Sequence, residues 1–163
     1  ACLSKWRKIH PETVPVGAKA CSNYLNGYLA RRDANQRGVD IGILLGTDGF
    51  LAEGSIESIF IVKDGILKTP PLGRVLSSIT RMSILQAVPA IGIPVEQGPI
   101  TAEELLSADE AFTAHTGIKV EAITRLENRD LPEAGPITKQ VMQLMDNIIQ
   151  FKDERFQDWF QSL

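Results

Sequence analysis

The strongest constraint on the fold is a pair of Asp-Gly dipeptides, Asp48-Gly49 and Asp64-Gly65, each flanked by short apolar, β-rich runs. Such a dipeptide favours the tight turn whose twist matches two antiparallel strands, because glycine tolerates a positive φ. The pattern predicts strands over 40–45 and 50–53 joined by Thr47-Asp48-Gly49, and over 58–62 and 66–69 joined by Lys63-Asp64-Gly65. Pro70-Pro71 ends the run, since proline donates nothing to a ladder.

The flanking segments read differently. Residues 1–16 are rich in Pro and Lys and suggest an irregular lead-in. Ser22 or Asn23 can cap a helix that runs to about Arg37 and stops at Gly38, with Leu25, Tyr28 and Leu29 as its apolar stripe. A second helix starts near Thr80 and falters at Pro89, and 94–97 suits a short strand. Thr101-Ala102-Glu103-Glu104 has the form of a capping box, in which the hydroxyl takes the Glu104 amide and the carboxylate reaches back. Strands follow over 110–114 and 119–123. A long helix from Thr138 carries Val141, Leu144, Met145 and Ile148 at helical spacing, and Phe156, Trp159 and Phe160 extend an apolar face. The expectation is one α+β domain over 1–163, dominated by hairpins.

Composition narrows the function. The chain has 163 residues, enough for one real core. A net charge of -3 without a long basic run argues against nucleic acid. No apolar run approaches the roughly 18 residues of a membrane span. Cys2 and Cys21 lack CxxC spacing, which suits a reducing, cytoplasmic setting. His10 and His115 have no clustered acidic or thiol companions, so no metal site is expected. The chain opens Ala1-Cys2-Leu3 with neither an initiator Met nor a signal-peptide pattern, which fits a processed chain or a fragment.

Four places can carry chemistry. In VGAKACSNYL, Lys19 stands among Val16, Gly17, Ala18, Ala20 and Cys21. Either its stem is buried and its ammonium reaches water, or it is a desolvated amine held ready as a nucleophile. In FLAEGSIESIF, Glu53 is either a solvated carboxylate at a strand end or a buried one that holds a proton on a ring nitrogen. In SSITR, Ser77 to Arg81, a loop runs straight into a helix. Its hydroxyls and free amides make a phosphate cradle, or simply helix caps. In AHTGI, Ala114 to Ile118, the Thr-Gly turn can point amides and a hydroxyl at an anion.

An isolated lysine, a ring-nitrogen carboxylate and two phosphate-binding turns are what pyridoxal phosphate requires. In order and wording these segments resemble the fold-type IV pyridoxal-phosphate enzymes, the class IV aminotransferases. That family includes branched-chain and D-amino-acid aminotransferases and 4-amino-4-deoxychorismate lyase. The likeness runs through GAKACSNYL, DGFLAEGSIESIFIVKDGILKTPP, SSITR, ADEAFTAHT and GPITK.

The resemblance implies a C-terminal domain of the D-amino-acid-aminotransferase-like fold, a hairpin-rich β pseudo-barrel flanked by helices. It implies pyridoxal 5'-phosphate as cofactor and an amino acid and a 2-oxo acid as substrates, most like the branched-chain type. It makes Lys19 the lysine of the internal Schiff base, which also shuttles the substrate proton. Tyr24 resembles the tyrosine that bonds the cofactor's ring oxygen, and Glu53 the carboxylate on the pyridine nitrogen. Ile79 through its amide, Thr80 and Thr116 resemble phosphate binders, and Gly117 through its backbone a holder of the substrate carboxylate.

The chain also departs from the family. Ser77-Ser78 stands where members read Pro-Gly, Ser58 replaces an asparagine, and His115-Thr116-Gly117-Ile118-Lys119 replaces a Gly-Thr or Ser-Thr followed by Ala-Glu. Nothing corresponds to the family's smaller N-terminal domain, which supplies an arginine to the phosphate and one wall of the pocket. Either another chain completes the site or the chain is a fragment, and a homodimer or larger assembly is expected. A lyase of the same family and a non-catalytic interaction domain are the competing readings.

Overall fold

In the computed structural model, which describes residues 1–160, the chain opens with a strand, β1 (Cys2–Arg7), where an irregular lead-in was expected. β1 lies parallel to β2 (Gly42–Leu45). Its partner comes some forty residues later, so no turn signal announces the pairing. Between them a 3-10 turn, Cys21–Tyr24, leads into α1 (Leu25–Gln36). No side chain caps either element, in contrast to the cap expected from Ser22 or Asn23.

The buried face of α1 is Gly27, Ala30, Asp33 and Ala34. Leu25 and Tyr28, expected in an apolar stripe, are exposed. Small residues win this face because the helix backbone lies directly on other backbone. A Cβ on Gly27 would sit 2.0 Å from the carbonyl oxygen of Ser55, and one on Gly42 would sit 2.2 Å from that of Ala30. Asp33 ties the helix to β1 by accepting the Ser4 hydroxyl at 3.2 Å and the Lys5 amide at 3.1 Å.

After β2 the backbone turns at Gly49 and returns through Phe50 to Glu53. It hydrogen-bonds β2 (Ala52 N to Leu44 O, 3.0 Å; Leu44 N to Glu53 O, 2.9 Å) but forms isolated bridges and not the continuous strand expected. Next come β3 (Ser58–Lys63), β4 (Ile66–Thr69), α2 (Ile79–Ala87), a 3-10 turn at Val88–Ile91, and β5 (Val95–Gln97). α3 (Ala102–Leu106), β6 (Glu110–His115) and β7 (Lys119–Ala122) follow. β8 (Arg125–Leu126) and β9 (Arg129–Asp130) form a small hairpin without an Asp-Gly or Asn-Gly signal, and α4 (Pro136–Ile149) completes the helices.

Five strands form one sheet in the order β5-β4-β3-β6-β7. The Lys63-Asp64-Gly65 turn forms as expected, with φ of 51° at Asp64 and 77° at Gly65. Alternate residues of β3 serve two cores, as the two-residue period of a strand requires. Phe60 and Val62 pack with Leu67, Ile84, Phe112 and the Val141, Leu144, Met145, Ile148 face of α4. Ile59 and Ile61 pack with Ile43, Leu51, Ile100 and Leu105. The sheet is therefore a middle layer covered on both faces. The α+β architecture agrees with expectation, but the strands lie in sheets of five, two and two and close no barrel among the described residues.

Two details of the helices differ from expectation. Thr101 caps α3 by accepting the Glu104 amide at 3.0 Å, but the Glu104 carboxylate does not reach back. It takes the Lys68 ammonium at 2.6 Å, a full charge in place of a dipole. α4 begins at Pro136, two residues early, because its first turn is capped from outside. The Glu110 carboxylate accepts the amides of Ile137 and Thr138 and the Thr138 hydroxyl, at 3.1, 2.7 and 2.6 Å. Phe156 is buried after α4, with Trp159 and Phe160 against the same core. Among the described residues no helix is long and apolar enough to cross a membrane.

Candidate active site

β2 is the ruler of the site. On one edge the Lys8 amide bonds the Leu45 carbonyl at 2.8 Å, and on the other the Leu44 amide bonds the Glu53 carbonyl at 2.9 Å. The two side chains meet beyond the end of the strand, where Lys8 and Glu53 form an ion pair. Lys8 is 5% exposed and Glu53 16%. The second Glu53 oxygen accepts the Leu76 amide at 3.0 Å. These groups line a cleft together with Tyr24, Ser55, Leu76 and Ser78.

Tyr24, half-buried, enters from the 3-10 turn ahead of α1. Just before it, Asn23 donates both hydrogens of its amide, to the carbonyls of Pro15 at 3.0 Å and Ala18 at 2.9 Å. That clamp shapes the loop carrying Lys19. Ala18 lines the cleft, but Lys19 itself is exposed, so the residues described here do not desolvate its amine.

α2 begins at the cleft wall. Ser78 is its cap, extended at φ −71°, ψ 138°, and its hydroxyl accepts the Arg81 amide at 3.2 Å. This is the ordinary capping role of a serine. It leaves the amides of Ile79 and Thr80 without an intrahelical acceptor, the arrangement that favours anions. Thr80 is buried and Ile79 exposed. Arg81 anchors this turn from below. Its guanidinium is buried and bonds the Pro70 carbonyl at 2.6 Å and Gln97 Oε1 at 3.1 Å. Among the described residues no carboxylate pairs with it, and burial pushes it below its ordinary proton affinity.

The second turn is less committed to the cleft. Thr116 and Gly117 are exposed, and the Gly117 amide donates to Nδ1 of His115 at 3.0 Å. The structure thus brings Tyr24 and Glu53 to one cleft, with Ser78 of the α2 turn on its wall. Lys19, Ile79, Thr80, Thr116 and Gly117 do not line it. Lys8 carries no local signal in the sequence, because only the β1–β2 ladder brings it to Glu53. Asn23, one of the two cap residues expected with Ser22, holds the Lys19 loop instead.

The model of the family "Amino-transferase class IV" matches residues 1–126. A probable branched-chain-amino-acid aminotransferase of Aquifex aeolicus is 36% identical over 163 residues, 98% of this chain and 52% of the relative. The branched-chain-amino-acid aminotransferase of Escherichia coli is 36% identical over 146 residues, 88% of this chain and 47% of the relative. Among solved structures, a branched-chain aminotransferase from Thermoproteus uzoniensis with norvaline superposes with a TM-score of 0.93 at 39% identity, over 97% of this chain and 53% of that one. The Thermobaculum terrenum branched-chain amino acid aminotransferase in its PLP-form gives 0.91 at 31% identity, over 97% and 53%. The chain spans about half the length of the curated relatives it matches.

Proposed function

The chain belongs to the class IV aminotransferases, and from that premise we propose that it carries the pyridoxal-phosphate site of an aminotransferase acting on branched-chain-type amino acids and 2-oxo acids. The observation that carries this reading is the cleft in which Glu53 and Tyr24 converge. Its residues fit the cofactor. Ser55 Oγ is buried at the cleft without a hydrogen-bond partner, an orphan that a ligand atom would satisfy. Glu53 accepts one bond on each oxygen, and an ionised carboxylate has about four acceptor positions.

In this reading Glu53 holds the proton of the pyridine nitrogen, and Tyr24 bonds the ring oxygen. The amides of Ile79 and Thr80 with the Thr80 hydroxyl hold the phosphate, and Thr116 contributes from the second turn. Pyridoxal phosphate, when bound, supplies a ring that takes up the electrons left as a proton leaves the substrate α-carbon. Lys19 would hold the cofactor through its amine and, once a substrate amine has displaced it, would carry that proton as a free amine. Gly117 faces the substrate carboxylate. The desolvation Lys19 needs comes from outside these residues, from the cofactor and from the remainder of the pocket. We assign that remainder to chain outside the matched half and to a second copy in a homodimer, for which the exposed Leu25, Tyr28 and Ile56 offer apolar contact.

The test is to add pyridoxal phosphate to the purified chain, reduce with borohydride and map the labelled peptide. A pyridoxyl adduct confined to Lys19, and lost in Lys19→Ala, is the expected result. Labelling scattered over surface lysines, or none, would overturn the reading.

A further inference from the structure

Lys8 is a buried ammonium with a carboxylate on its nitrogen, inside the cleft of the proposed site. A buried lysine needs a partner, but a buried ion pair is weak evidence for stability, since packed apolar residues commonly do as well. Its place in the fold is specific. The backbone of Lys8 is pinned to one edge of β2 and that of Glu53 to the other, so the pair closes across the end of the strand. The Leu76 amide takes the second carboxylate oxygen at 3.0 Å, ahead of the α2 turn. Glu53 is thus held at both oxygens by groups from two different segments. Its remaining acceptor positions belong to a carboxylate that lines the cleft.

We propose that Lys8 is a positioning residue which, with the Leu76 amide, fixes the direction in which Glu53 meets the ring nitrogen of the cofactor. The inference rests on the reading of the site given above. Lys8 touches neither substrate nor the reacting atoms in this role. It acts only through Glu53, so its effect depends on there being a ring nitrogen to meet.

That dependence supplies the test. The full chain, Lys8→Met and Lys8→Arg are titrated with pyridoxal phosphate and with its analogue in which the ring nitrogen is replaced by C–H, and binding is followed by absorbance. Lys8→Met is expected to weaken pyridoxal phosphate about tenfold, the worth of one charge-assisted hydrogen bond. The carbon analogue should change by less than about twofold, since it offers Glu53 no donor. Lys8→Arg, which keeps the charge and the donors, should stay close to the parent. Circular dichroism checks that each variant is folded, and Lys8→Gln replaces Lys8→Met if the latter does not fold. An equal loss with both cofactors means that Lys8 is merely structural and overturns the inference, as does no loss or a gain with pyridoxal phosphate. Failure of the parent to bind either cofactor, or a parent adduct mapped to Lys8, sinks the reading of the site and this inference with it.

Discussion

Nδ1 of His115 accepts the backbone hydrogen of Gly117 at 3.0 Å, closing the turn after β6 on itself. The amide proposed for the substrate carboxylate is therefore already engaged, and a carboxylate must displace the imidazole to reach it. The contact is tight, since a Cβ on Gly117 would lie 2.9 Å from His115 Cε1. His115→Ala is expected to speed amide hydrogen exchange at Gly117 about fivefold, the equivalent of one hydrogen bond of about 1 kcal/mol. Identical exchange in the two proteins would mean that the bond does not persist in solution.

Asn23 should matter twice. Its amide donates to Pro15 and Ala18, and without it two carbonyls lose their partner. Asn23→Ala is expected to lower stability by about 1–3 kcal/mol, read as a shift of the urea midpoint at constant slope. Because the clamp holds the Lys19 loop, the variant should also form the borohydride-trapped adduct more slowly. A stability loss with unchanged labelling would confine Asn23 to the fold.

Glu110 fixes the start of α4. It accepts three hydrogen bonds at the helix start while buried, where its charge also meets the positive end of the helix. Glu110→Ala should cost about 3 kcal/mol, measured by urea unfolding. Gly135→Ala attacks the same contact from the other side, because its Cβ would fall 2.0 Å from Glu110 Cδ. A loss below about 1 kcal/mol in both would show that water replaces the carboxylate.

Gly27 sets how closely α1 approaches the cleft. Its missing side chain makes room for the Ser55 carbonyl, so Gly27→Ala must push α1 away from the Ser55 loop. A loss of about 2 kcal/mol is expected, together with weaker cofactor binding. Gly17→Ala is the control, since a Cβ there meets nothing within 4 Å and should change stability by less than about 0.5 kcal/mol. Equal behaviour of the two variants would contradict the close approach.

The elements legible in the sequence are those whose signal is local. The Lys63-Asp64-Gly65 turn, β3 with β4, β6 with β7, and the apolar face of α4 form where turn chemistry and periodicity placed them. The errors share a cause. β1 reads as a lead-in because its partner lies forty residues on, and Leu25, Tyr28 and Leu29 read as the α1 stripe because hydrophobicity does not report backbone-to-backbone packing; Leu25 and Tyr28 are exposed and Leu29 only partly buried. The capping box at Thr101 half-formed because a distant lysine outbid a nearby amide for Glu104.

Local sequence signals set which short segments turn, pair or coil, including the segments that hold Lys19, Tyr24, Glu53 and the α2 turn. Tertiary packing is what pairs Lys8 with Glu53, sets Asn23 as the clamp of the Lys19 loop, buries Arg81 under α2 and leaves Lys19 exposed. The physical reason is range. Turn preference and periodicity act over a few residues, whereas a contact between residues 45 apart exists only once β2 has joined both of its neighbours.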